Sequence, residues 1–178
     1  MRFFRRSAAA ALALLATSSM VQAQAKASAC LTEAEATALF EYALPELLDS
    51  VATKCSPTLP KNAFLATQAP QYVNRYRASS AGNWPLAKAA FIKSAGSEDK
   101  ADKILGAVPD DALKALLSAG LGAALAGDIK PATCPRVDKL AAALAPLPSL
   151  NVAQIIVQIM ALDSDKPGKS GDFRICQG

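Results

Sequence analysis

The chain contains no histidine among its 178 residues. That removes the commonest general base and excludes the usual serine and cysteine triads. No Asn-x-Ser/Thr sequon occurs, which leans towards a bacterial source. Aromatic residues are few, at 6%, and β-branched residues are scarce outside residues 151–159. An alanine-rich chain of that kind favours helix over sheet. Closely spaced cysteine pairs are also missing. Cys30, Cys55, Cys134 and Cys176 are each at least 25 positions apart, whereas zinc knuckles bring their ligands in C-x-x-C pairs. No metal and no cofactor is expected.

What is present begins with an export signal. Met1 to Arg6 carries three arginines, the run from Ala8 through Val21 is apolar, and Ala23-Gln24-Ala25 is a small-residue cleavage site, with Val21-Gln22-Ala23 as a nearby alternative. The run of about 14 residues falls short of the ~20 needed to span a bilayer, and Thr17-Ser18-Ser19 interrupts it. Arg5-Arg6 leaves the twin-arginine route open beside the general secretory one. Lipidation of Cys30 fits poorly, because Ala27 stands where a large aliphatic is usual and three cysteines would be left over. The expectation is a cleaved leader over residues 1–25, a single domain over 26–178, no transmembrane segment in the mature chain, and a periplasmic or secreted location.

Charge says little about partners. The full chain is +4, but Arg2, Arg5 and Arg6 belong to the leader, leaving 16 Lys and Arg against 15 Asp and Glu. A near-neutral surface gives no argument for nucleic acid. Four cysteines in an oxidising compartment read as two disulfides. A helix over residues 32–54 would hold Cys30 and Cys55 roughly 30 Å apart, and a disulfide needs Cα atoms within about 7 Å. Unless Pro45 folds that helix into a hairpin, Cys30–Cys55 is disfavoured; of the two connectivities left, the one expected is Cys55–Cys134 with Cys30–Cys176, which ties the first helix to the C-terminal part.

The pattern predicts an irregular, compact all-α domain of about seven helices, stapled by two disulfides. Thr32 and Glu35 form a capping box. The helix after it carries Phe40, Leu44, Leu47, Leu48 and Val51 at helical spacing, with a kink or restart at Pro45. Shorter helices are expected over 61–68, from Pro70 with Tyr72, Val73 and Tyr76 on one face, and from an Asn83 cap with Leu86, Ala89, Ala90 and Phe91 facing the core. Ser97-Glu98-Asp99 opens another. Pro109-Asp110-Asp111 opens a longer helix to Gly127, whose Gly120 and Gly122 point to close approach of a neighbour. Thr133 begins a helix with Val137, Leu140, Ala141 and Leu144 as its stripe. Asn151 to Gln154 resembles a capping box ahead of Val152, Ile155, Ile156, Ile159 and Met160. Residues 163–172 read as a loop, and Phe173 to Cys176 as an extended tail.

Candidate chemistry is sparse. Glu98, Asp99 and Asp102, or Asp110 and Asp111, are paired acids of a kind that hydrolyses glycosides, although helix starts also favour acids for their dipole. Asp163 to Gly168 begins like a calcium loop, but Pro167 and Arg174 stand at ligand positions. Gly168-Lys169-Ser170 lacks the glycine and strand of a phosphate loop. Tyr72, Arg75, Tyr76, Arg77, Asn83 and Trp84 concentrate aromatics, amides and guanidinium groups and form the candidate binding surface; the competing reading packs the aromatics in the core. The function expected is an exported, non-catalytic binding or interaction protein, accessory, inhibitor or immunity-like, whose partner is an envelope protein or glycan. The alternatives are a carboxylate hydrolase of envelope glycans and a carrier of a small apolar ligand.

Overall fold

A computed structural model describes residues 30–95, 99–127, 129–164 and 175–176; for 99–102, 123–125, 163 and 164 it describes backbone alone. The predicted leader, Ser97 and Glu98, the predicted loop beyond Ser164, and Phe173 and Arg174 lie outside the described residues. Among those described, eight helices follow in order: α1 (Glu33–Cys55), α2 (Phe64–Thr67), α3 (Ala69–Ser80), α4 (Trp84–Ala95), α5 (Asp99–Ala107), α6 (Asp110–Gly127), α7 (Cys134–Leu144) and α8 (Ser149–Ser164). Since α2 is a single turn, seven helices of nine residues or more remain, as the periodicity predicts. No described helix is long and apolar enough to cross a membrane.

The predicted capping box opens α1. Thr32 accepts from the Glu35 N–H at 3.2 Å, and the Glu35 carboxylate accepts from the Thr32 N–H at 2.7 Å. The helix then runs through Pro45 without a break, so the chain does not restart there. Proline removes only the donor to the Glu41 carbonyl, and Pro45 is buried against the helices around it. Every residue from Ala36 through Glu41 is buried, and so are Ala43, Leu44 and Pro45. The first helix is therefore the central rod of the fold rather than an amphipathic cover. α3, α4, α6 and α8 all pack against it.

Alanine makes that packing possible. Ala36, Ala43, Ala87, Ala90 and Ala153 lie at the contacts and let helix axes approach closely. Leu39, Phe40, Trp84, Leu113, Leu117, Leu121 and Val157 fill the main core. Gly122 belongs to the same logic. A Cβ there would lie 2.5 Å from Ser50 Oγ on α1, so the close approach predicted for this glycine is real. Gly120 faces open space and has no such reason.

Two expected stripes are rotated. On α4 the buried residues are Trp84, Ala87 and Ala90, while Leu86 and Ala89 are exposed. On α8 the helix starts at Ser149, so Asn151 is inside it and caps nothing. Val152, Ala153 and Val157 are buried there, whereas Ile159 is 61% exposed. Small residues moved inward in both cases because α1 is close.

Both disulfides pair as expected. Cys55–Cys134 spans Cα atoms 5.4 Å apart, and Cys30–Cys176 spans 5.0 Å. With Cys30 bridged, its thiol is not free for a lipid. Cys176 N–H donates to the Leu31 carbonyl at 2.8 Å, and Leu31 and Ile175 form a parallel bridge. Ile175 and Cys176, the described part of the predicted tail, are thus pinned beside the start of α1. Cys55 and Cys134 are fully buried in a second core with Val51, Phe64, Leu65, Ala69 and Ala145. Asp138 of α7 accepts from the Leu65 N–H at 2.8 Å and so holds the single turn of α2, where the longer 61–68 helix was expected.

Two outcomes follow. Gly120→Ala should stabilise the fold by up to about 1 kcal/mol, while Gly122→Leu should destabilise it by about 1–3 kcal/mol through overpacking against α1; urea unfolding measures both. Thiol labelling in dithiothreitol without denaturant should modify the half-buried Cys30 and Cys176 first, and reach Cys55 and Cys134 only after unfolding.

Candidate functional site

The six predicted surface residues do not gather into one patch. Tyr76 is 3% exposed and Trp84 8%. Arg75 lies over the Tyr72 and Tyr76 rings, with its guanidinium carbon 4.4 and 5.1 Å from their centroids. It donates to the Ala145 and Leu147 carbonyls, as does the Tyr76 hydroxyl at 3.3 and 3.4 Å. Arg75 and Tyr76 therefore clamp the turn between α7 and α8, satisfying carbonyls that the end of α7 leaves without intrahelical donors. Trp84 Nε1 donates to Asp110 at 2.8 Å, tying α4 to the start of α6. Arg77 pairs with Glu46 at 2.7 Å, and Asn83 donates to Glu41.

Of the predicted acids, Asp110 and Asp111 have described side chains. Asp110 accepts from Lys88 and from Trp84, and those two bonds hold its carboxyl below the usual carboxylate range. Asp111 is fully exposed and 3.8 Å from Lys114. Glu98 lies outside the described residues, as do the side chains of Asp99 and Asp102.

Among the described residues, concavities border α1 on several sides, and three of them bear on function. The first is an apolar groove of 210 Å³ between α1, α3, α7 and α8. Leu44, Leu47, Leu48 and Val51 form its α1 wall at helical spacing, Val137, Leu140 and Leu144 its α7 wall, and Val152 and Ile156 its α8 wall. The Tyr76 hydroxyl beside it is already spent on carbonyls. Leu140, on the lip, is 60% exposed. This groove recovers the predicted stripes of α1 and α7: Leu44 and Val51 form its buried floor, Leu47, Leu48, Val137 and Leu144 are half-buried, and Leu140 alone of these is exposed.

The second is a polar cleft of 170 Å³ lined by Tyr42, Glu46, Arg77, Ser80, Lys114 and Ser118. Burial, followed by the charges of Glu46, Asp110 and Asp111, raises the Tyr42 phenol above its ordinary range, so it stays neutral. The third is a wide cleft of 490 Å³ with Glu33, Thr37, Glu41, Asn83, Leu86, Leu150 and Gln154 on its walls. Glu41 is buried there and accepts from Ser149 Oγ at 2.6 Å and from the Asn83 amide. Ser149 is also 2.8 Å from Ser79.

Sequence reasoning missed Glu41, Thr37 and Ser149. The signal was there: Glu41 lies three residues before Leu44 and seven before Leu48, a carboxylate on the predicted apolar face. No described residues group three or more metal-ligating side chains together. The geometry defines a disulfide-stapled all-α protein assembled round a buried first helix. No protein-family model, curated protein or solved structure matches the chain.

Glu35 generates a pH prediction. The Lys93 ammonium, 2.7 Å away, and then the Thr32 N–H lower its pKa. A lowered folded-state pKa contributes stability that is full above the ordinary glutamate range and is lost as pH falls through the folded value. Lys93→Ala should therefore lose less stability than the wild type between about pH 6 and about pH 3, read from urea midpoints.

Proposed function

We propose that the protein is an exported, non-catalytic binding protein whose apolar groove seats the apolar face of an amphipathic helix from an envelope partner. The observation that carries this reading is the groove itself: an apolar concavity walled by leucines at helical spacing on α1 and α7, with Leu140 exposed on its lip and no unengaged polar side chain on its walls. Such a surface is the acceptor half of a helix-in-groove contact. It offers a glycan nothing to hydrogen-bond, which favours a protein partner. The leader in the sequence and the two disulfides support an oxidising compartment.

The same groove supports a second reading, a carrier of a small apolar ligand. Carboxylate hydrolysis draws less support. Glu33 and Glu41 share a cleft, but their backbones are roughly 12 Å apart along α1, wider than paired glycosidase carboxyls require.

The test is Leu140→Glu, which changes an exposed lip residue and should leave the fold intact. Binding of an apolar fluorophore to the purified protein should fall by about fivefold or more. A photo-crosslinker at position 140 in exporting cells should capture one discrete protein, and a leaderless chain should not. A fluorophore that binds both forms equally overturns the groove. Turnover of a cell-wall substrate abolished by Glu41→Gln overturns the non-catalytic role. Capture of only a small apolar molecule selects the carrier.

A further inference from the structure

We propose that the wide cleft beside Glu41 is a binding site for a primary ammonium group carried on a methylene stem. The argument begins with charge. Glu41 is 5% exposed, yet its two partners, Ser149 and Asn83, are both neutral. Among the described residues the ion pairs lie elsewhere: Arg77 with Glu46, Lys88 with Asp110, Lys93 with Glu35, and Lys114 with Asp111. A carboxylate taken out of water is costly unless a counter-charge or a full set of donors meets it. A carboxylate has about four lone-pair sites, and two donors leave capacity on the side that lines the cleft.

A second, independent observation points to the same place. Thr37 lies one helical turn before Glu41 on the same wall. It is 8% exposed, and its hydroxyl makes no hydrogen bond to a described residue. Glu33 stands one further turn away, so Glu33, Thr37 and Glu41 form a single file of oxygens along α1. An ammonium carries three donors and no acceptor. Glu41 and Thr37 can take two of them, the first as a charge-assisted bond.

The remaining walls select the stem. Leu86 and Leu150 border the cleft, each 45% exposed. These are the leucines displaced outward when Ala87, Ala90 and Ala153 took the contact with α1. Methylenes packed on them would cover apolar surface that the fold leaves wet. A second ammonium at the far end of the stem would meet Glu33, whose partner is the neutral Gln158 amide at 2.6 Å. That makes a diamine a better ligand than a monoamine. Free diamines and lysine side chains present the same chemistry.

Calorimetric titration of the full folded chain tests the site. The ligands are 1-butanol, n-butylamine, 1,8-diaminooctane and N-acetyl-lysine amide. Saturable binding of n-butylamine, tighter binding of 1,8-diaminooctane, and none of 1-butanol support the site. If N-acetyl-lysine amide binds more tightly than the diamine, the natural source is a lysine side chain; if the diamine is tighter, it is a free amine. Glu41→Gln keeps the shape and should weaken the amine by about tenfold or more. Leu140→Glu, in the apolar groove, should not change amine affinity, so this site and the groove fail separately. Butanol binding as well as butylamine, a response to calcium alone, or no amine binding by the wild-type chain overturns the proposal, and those arms need no variant to fold.

Discussion

Between Ala36 and Pro45, α1 is buried on almost every side, so α3, α4, α6 and α8 each have to meet a different part of its circumference. A helix in that position cannot be amphipathic in the ordinary way. It also cannot carry bulky residues all round, because four neighbours must reach it. Alanine answers both demands, and the same residue type recurs on the faces of α4 and α8 that approach it. Gly122 extends the answer to α6, where even a methyl group would press on Ser50.

Close approach of small residues has a consequence for the surface. Helices that turn alanine inward must turn something else outward, and here it is leucine and isoleucine. Leu86, Leu150, Ile155 and Ile159 are exposed for that reason. The polar groups caught near the rod are settled by neutral partners: Ser149 and Asn83 bind Glu41, and Asp138 holds the start of α2. The two disulfides act at the ends of the rod. Cys55 ties its C-terminus to α7, and Cys30 ties the segment before its N-terminus to the tail. In the chain-entropy account, closing loops of this length contributes about 4.5–5 kcal/mol each.

Helix content, most helix starts and the presence of two cross-links were legible because they depend on local rules. The Thr32–Glu35 box, Pro70, Asp110 and the start after Thr133 are signals written within a few residues. A long helix excludes Cys30–Cys55 by simple length, but two pairings survive that argument, and the tertiary structure decides for Cys30–Cys176 with Cys55–Cys134. Burial direction was not legible on α4 and α8. Hydrophobic periodicity assumes that the largest apolar residues face inward, and that assumption fails where interaxial distance, not transfer energy, decides the contact. The cluster at residues 71–84 was legible as unusual, but its use was not. Arg75 and Tyr76 serve a turn some 70 residues away, and no local pattern announces that.

By itself the amino-acid sequence determined that this is a helical, twice cross-linked chain without histidine chemistry, because composition, capping and cysteine spacing act at short range or through chain length alone. Only the tertiary structure decided that α1 is the rod, that the leucines of α1 and α7 line an open groove, and that Glu41 lies buried beside a cleft with neutral partners. Those facts follow from which helix faces meet, and that is set by how closely backbones can approach in three dimensions.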